Sequence, residues 1–320
     1  MRRLIFAAVL VSLVFAASAS AQTGPALLLK PLLSEDENLE SRGDALFLDS
    51  ATASNAGEEA DFDMSVFEAS GRFRERRENF IPRIGWDLTW YNLRSDTPVL
   101  DQDLVDTSVA IGLDVGQVSG WRGGLTVGIG YGGNAPFGEG SAYYAKATLV
   151  LGKQLDKQTD LGFVIDYDGN RTVFPDIPIP GIAYRHEFDP KLNYTLGVPL
   201  STVTWRPDRF LVEVTWELVD RLDARVEYEL SPAWIAFANF ERRQEAFSVD
   251  DVGNNDRLLF QGRRVEAGMR WHPWEHTSFL LAGGYAFNQE FSVGFDQRKS
   301  DKVADVSDEP YVRLGFERRW

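Results

Sequence analysis

The sequence predicts an all-β fold, a single antiparallel barrel built to cross a membrane. Three observations carry this. Apolar and polar residues alternate at period two through most of the chain after residue 64. The polar face is rich in charge, which is costly unless water or opposite charge surrounds it in a lumen. The final segment also alternates to its end, with Val312, Leu314, Phe316 and Trp320 on one face and Arg313, Gly315, Glu317 and Arg319 on the other. In a closed barrel the last strand pairs with the first, so it can stop at the membrane interface with no edge left open.

The chain opens with Arg2 and Arg3, then Leu4 to Ala17, apolar except for Ser12, then Ala19-Ser20-Ala21. This is the pattern of a secretory signal peptide, and residues 1–21 are expected to be removed. After Ala21 no apolar run approaches the length of a membrane helix. There are no cysteines, which excludes a disulfide framework, a thiolate metal site and a Cys nucleophile. Without Arg2 and Arg3, 31 basic residues face 48 acidic ones, a net charge of −17. That balance lacks the basic footprint nucleic-acid binding needs.

Residues 22–63 read as an acidic linker. Ser34 to Asp63 holds ten acidic residues and one basic one, with too little apolar surface to offset the entropy of ordering. A disordered segment is expected there, and the barrel is assigned to 64–320.

Strands follow in order. Ile84, Trp86, Leu88 and Trp90 alternate with Gly85, Asp87 and Thr89. Val109, Ile111, Leu113 and Val115 alternate with Ala110, Gly112 and Asp114. Leu125, Val127 and Ile129 alternate with Thr126 and Gly128, and Leu161, Phe163 and Ile165 with Gly162, Val164 and Asp166. Leu222, Ala224, Val226, Tyr228 and Leu230 alternate with Asp223, Arg225, Glu227 and Glu229. Turn signals separate them at Gly116–Gly120, Asp156–Asp160, Asp189-Pro190-Lys191, Pro207-Asp208, Ser231-Pro232 and His272–His276.

The expected strands lie near 83–94, 104–115, 121–131, 142–153, 160–168, 180–187, 192–198, 200–206, 208–217, 221–230, 232–243, 259–271, 277–289 and 308–320. That is about 14. Twelve is the alternative count, with 192–206 read as one long strand around Pro199, and 64–75 would add a strand or form an inner plug. An even number keeps both ends on the periplasmic side and turns the long connections 132–141, 169–179, 244–258 and 290–307 outward. All nine Trp fall in or beside these strands, as interfacial girdles require.

Pro180-Gly181-Ile182-Ala183-Tyr184, Asp189-Pro190, Leu196-Gly197-Val198-Pro199 and Val203-Thr204-Trp205-Arg206-Pro207 resemble a family of bacterial outer-membrane β-barrel proteins of unknown function, over roughly 80–320. The aromatic final strand resembles the signal by which such proteins are recognised for insertion. Arg318 departs from it, where an apolar residue is usual. The resemblance implies an outer-membrane location, with membrane lipids and the barrel assembly machinery as partners. It implies no activity.

Several motifs read as structural. Gly128-Ile129-Gly130-Tyr131-Gly132-Gly133 contains G-x-G-x-x-G, but no helix follows to hold a pyrophosphate, so the glycines read as spacing on a lumen-facing strand. His272-Pro273-Trp274-Glu275-His276 matches H-x-x-E-H on a turn, where zinc chemistry needs a helix. His186 has Glu187 beside it and no recognisable serine nucleophile, which leaves lipid hydrolysis a distant third reading. The acidic stretch Val249–Asp256 reads as a solvated outer loop, with weak calcium binding as the rival. No enzyme site and no cofactor are expected.

The inward-facing charges are the candidate functional set: Asp87, Asp114, Lys146, Asp166, Arg185, Arg206, Glu213, Arg225, Glu227, Glu229, Arg270 and Arg313. Glu187, Glu217, Glu266 and Glu317 share their face, which puts acids in excess. They predict either a pore whose charges select small solutes or an ion-pair network bracing a filled barrel. The leading expectation is a passive channel or uptake port. The alternative is a structural or adhesion barrel with a closed lumen.

Overall fold

The structure, a computed structural model, describes residues 23–24, 27–28 and 38–320, apart from 49, 56–57, 75–82, 98–99, 135, 219–220, 251 and 254. The signal-peptide segment 1–21 lies outside the described residues. Among the described residues the strands form one antiparallel sheet closed on itself, with sixteen strand positions.

The first position, β1, is Leu39–Leu48 continued by Ala51–Asn55. Then come β2 Glu58–Arg74, β3 Arg83–Ser95, β4 Asp103–Val118, β5 Trp121–Gly133, β6 Tyr143–Gln154, β7 Thr159–Asp168 and β8 Ile179–Asp189. The second half is β9 Leu192–Gly197, β10 Leu200–Trp205, β11 Phe210–Glu217, β12 Arg221–Ser231, β13 Trp234–Phe247, β14 Arg257–Trp274 and β15 Thr277–Asp296. The last position, β16, is Lys299–Val306 continued by Glu309–Arg319. Each strand pairs with its sequence neighbours, and β1 closes the sheet against β16, from Glu40 opposite Arg319 to Leu48 opposite Tyr311.

All fourteen expected strands are present, and two lie upstream of them. The linker expectation is corrected over 39–63: with 64–74 these residues form the hairpin β1–β2. The count is therefore sixteen, and the closing partner of the last strand is β1. Residues 64–74 belong to the wall and not to a plug. Residues 192–206 form two strands around Val198-Pro199. The expected outer loop 290–307 is the end of β15 and the start of β16, joined by a tight turn at Gln297-Arg298.

One end of the barrel carries tight turns: Ser119-Gly120, 155–158, Pro190-Lys191, 206–209, Pro232-Ala233 and Glu275-His276. Gly116 and Gly120 adopt positive φ of 100° and 82°, which glycine tolerates and which the β4–β5 bulge and turn require. Trp320 lies at this turn end, where its N–H donates to the Leu39 carbonyl at 2.9 Å. The opposite, loop end carries the long connections 134–142, 169–178 and 248–256.

The outer wall is apolar near the turn end. Val109, Ile111, Ile129, Phe163, Ile165, Val226, Leu281 and Leu314 are all exposed there. Trp234, Trp271, Phe279 and Phe316 are register neighbours on four consecutive strand positions and form one outward aromatic row. Trp121, Trp205, Trp274 and Trp320 lie at the same rim, and Arg318 covers the Trp320 ring at 5.0 Å.

The wall is uneven in height. β9 and β10 have six residues each, roughly 15 Å along the barrel axis after tilt. β14 and β15 have 18 and 20 residues and rise about 45–50 Å by the same geometry, well past a bilayer's apolar band. In that tall part the pattern inverts. Leu46, Phe62, Met64, Tyr91, Leu93, Leu100, Leu104, Phe247, Leu258 and Phe291 are buried inside, while Asp61, Asp63, Asp301 and Lys302 face out. Strands that do not pair meet across the interior through Phe62 and Phe291 at 6.1 Å and Tyr91 and Phe260 at 5.3 Å. The loop end over the tall strands is therefore a packed apolar core rather than an open mouth.

Candidate functional site

Below that core the interior is polar. Inward positions recur every second residue, so register alone brings charges together in rows that cross the strands. One row runs Glu187, Asn193, Thr204, Glu213, Arg225, Asn239, Glu266 across β8 to β14. The row above runs Arg185, Thr195, Thr202, Thr215, Asp223, Glu241, Arg264.

The arginines and carboxylates of the long strands are paired in a layer across the barrel. Arg313 contacts Asp44 at 2.8 Å and also Glu266, which accepts a hydrogen bond from the Tyr311 hydroxyl at 3.0 Å. Arg264 bridges Glu68 at 3.1 Å and Glu241 at 2.5 Å, Arg243 contacts the same Glu68, and Arg221 meets Glu241 at 2.8 Å. Arg270 pairs with Glu227 at 2.8 Å, and Arg225 lies between Glu227 at 3.3 Å and Glu213 at 2.5 Å. Buried pairs of this kind repay their desolvation only when their remaining hydrogen bonds are made. Sharing each carboxylate between guanidiniums supplies part of them, while Glu68 Oε2 and Glu241 Oε1 are buried without a hydrogen bond among the described residues.

Two polar cavities occupy the interior. The larger, about 650 Å³, is lined by β8 to β14 together with the ends of β1, β2, β15 and β16. The smaller, about 140 Å³, lies between β3, β6, the segment 168–172 and the top of β13. They share Ser70 and Arg221. Within the smaller cavity Lys146 pairs with Asp168 at 3.0 Å, and beside it Arg171 pairs with Asp166 at 2.5 Å. The 169–178 loop is tied across the barrel, since Asn170 donates to the Ala246 carbonyl at 2.9 Å and Arg257 to the Arg171 carbonyl at 3.0 Å.

The described part of the N-terminal segment also sits inside. The Thr23 hydroxyl donates to Asp87 at 2.5 Å and lies 2.7 Å from Ser108. Arg83 donates to the carbonyls of Leu27 and Leu28. A Cβ on Gly112 or Gly124 would meet these leucines at 3.3–3.4 Å, so the two glycines leave room for them.

Of the twelve candidate charges, Arg185, Arg206, Glu213, Arg225, Glu227, Arg270 and Arg313 line the larger cavity, and Asp87 and Lys146 the smaller. Asp166 is buried beside the smaller one. Asp114, 3.8 Å from Arg83, and Glu229 line neither. The lining also includes Glu40, Arg42, Arg72, Arg221 and Arg319, which the candidate set omits. Its balance departs from the expected excess of acids, with nine arginines against five carboxylates.

The remaining motifs take structural places. Gly130 lies under the Tyr144 ring, whose hydroxyl reaches Asp106 at 2.5 Å. His272 lies within β14, two residues before its end at Trp274, and His276 occupies the adjoining turn with a φ of 62°. His186 contacts the Thr159 hydroxyl at 3.0 Å and stacks on Tyr184. Among the described residues no three His, Asp or Glu side chains are grouped to hold a metal ion.

An apolar exterior, an aromatic rim and a charged interior define the class as a transmembrane antiparallel β-barrel. No family model matches the chain, and no curated protein matches it. Among solved structures it is similar to an outer membrane channel from Pseudomonas putida F1, at 11% identity over 91% of this chain and 100% of that one, with a TM-score of 0.38. It is similar to the Pseudomonas putida toluene transporter TodX at 11% identity over 96% of both chains, TM-score 0.40. It is also similar to the translocator domain of the autotransporter NalP from Neisseria meningitidis, at 12% identity over 90% of both chains, TM-score 0.32. At these identities and scores only the lumen itself bears on function.

Proposed function

We propose that the protein is an outer-membrane barrel that acts as a narrow channel for small polar solutes. The observation that carries this is the pair of polar cavities whose linings share Ser70 and Arg221. Read together as a polar route, their linings reach from His276 and Arg319 at the turn end to Asn170–Thr172 of the 169–178 loop. Arg221, held by Glu241, stands at the neck. The pairs Lys146–Asp168 and Asp166–Arg171 stand beneath the loop. Membrane lipids would contact the apolar wall, and the barrel assembly machinery would insert it. No catalytic constellation is needed for this role.

Insertion into a planar bilayer tests the reading. Discrete conductance steps are expected, and a folded barrel that never conducts would overturn it. The paired layer Arg313–Glu266 and Arg264–Glu241 supports the second reading, a structural barrel with a braced, closed lumen, which that silent outcome would favour. Expressed with its own leader, the protein is expected in the outer-membrane fraction with heat-modifiable gel mobility. Recovery as a soluble periplasmic protein would overturn the location.

A further inference from the structure

We propose that the larger cavity prefers small anions, of the carboxylate or phosphate class, over cations. The inference deepens the channel reading and rests on it for the route, though not for binding.

The first observation is a local reversal of charge. The chain carries −15 overall, yet the cavity lining has nine arginines against five carboxylates. Part of the balancing negative charge sits outside the lining. Arg313 is neutralised by Asp44 and Glu266, and Arg221 by Glu241, and none of these carboxylates faces this cavity. Counted with these three carboxylates the site holds nine cations against eight anions, so the bias toward anions rests on the guanidiniums that no carboxylate pairs. Unbalanced charge inside a low-dielectric wall concentrates counter-ions of the other sign.

The second observation identifies two of them. Arg185 on β8 and Arg206 after β10 line the cavity, and neither guanidinium has a carboxylate partner among the described residues. They stand on the low wall beside Thr195 and Thr204, which also line the cavity. Guanidinium forks with hydroxyl donors beside them match the oxygens of carboxylate and phosphate. A volume of about 650 Å³ admits a small organic anion with part of its water.

Two measurements test this on the full barrel. The first is the reversal potential across a bilayer in a low-salt potassium chloride gradient, where surface charge is least screened. A several-fold preference for chloride is expected, and the double variant Arg185→Glu with Arg206→Glu should abolish or invert it while keeping its heat-modifiable gel shift. The second is calorimetric titration of the detergent-folded barrel with citrate as the probe. Binding is expected and should be lost in the same variant. Preference for potassium in the unaltered protein, or a double variant that changes nothing, overturns the proposal. A barrel that binds citrate through these arginines but does not conduct leaves the anion site standing and removes the channel. A barrel that neither conducts nor binds citrate overturns both.

Discussion

Val226 and Glu227 are consecutive on β12 and lie on opposite sides of the wall. Val226 is 44% exposed on the outer face, whereas Glu227 is 6% exposed and accepts a hydrogen bond from Arg270 at 2.8 Å. Replacing Val226 by Arg puts a charge into hydrocarbon and is expected to cost about 2–4 kcal/mol near the midplane. Unfolding in lipid vesicles measures it. A harmless Val226→Arg would mean that this face does not meet lipid.

Glu227→Gln leaves Arg225 with Glu213 but removes the carboxylate that pairs with buried Arg270. A loss of stability of up to about 3–5 kcal/mol is expected, eased by the amide oxygen as an acceptor, in a barrel that still shows its heat-modifiable gel shift. The same change removes one of five lining carboxylates, so it should raise the chloride preference. The reversal potential checks the sign, and a shift toward potassium would contradict the assigned charge balance.

Removing one partner of a buried pair leaves an uncompensated charge. Glu266→Met takes from Arg313 one of its two carboxylates and from Tyr311 its acceptor, and should cost about 3–5 kcal/mol in urea titration of the vesicle-bound barrel. Joint replacement of Arg313 and Glu266 by Met should recover part of that loss. A double variant worse than the single would show that the pair is not the unit of stability.

Thr23, Leu27 and Leu28 occupy lumen space against β3 to β5. Changing Leu27 and Leu28 to Ser removes their apolar packing on Gly112 and Gly124. Single-channel recording should then show larger or noisier conductance steps with the same ion preference. Unchanged steps would place these residues off the conducting path.

Deleting Phe316–Trp320 removes the pairing of β16 with Glu40–Gly43 and the end of the aromatic row at Phe279. An open edge in lipid leaves backbone groups unsatisfied. Loss of the heat-modifiable gel band is the expected result, and a normal band would show that closure does not need these residues.

Much was legible in the sequence because a strand alternates faces at every residue. The outward placement of Val109, Ile111, Ile129 and Phe163 follows directly, as does the inward placement of Arg225, Glu227 and Arg270. Fourteen strands and all the tight turns of one end could be read in this way. Periodicity has no sign, however. In lipid the apolar face looks outward, and above the lipid, in water, it looks inward. Phe62, Met64 and Val66 on β2 obey the second rule, with Asp61 and Asp63 in water. Their acidic outer face made 39–63 look like linker, which hid the first hairpin together with Arg42 and Glu40. Pairing across the barrel was equally invisible. Arg313 and Asp44 are 269 residues apart, and only closure of β16 on β1 joins them. The sequence by itself determined which residues alternate and how charged the inner face is. The tertiary structure decided which charges neutralise one another and which are left to line the cavity, because that depends on register between strands distant in the chain.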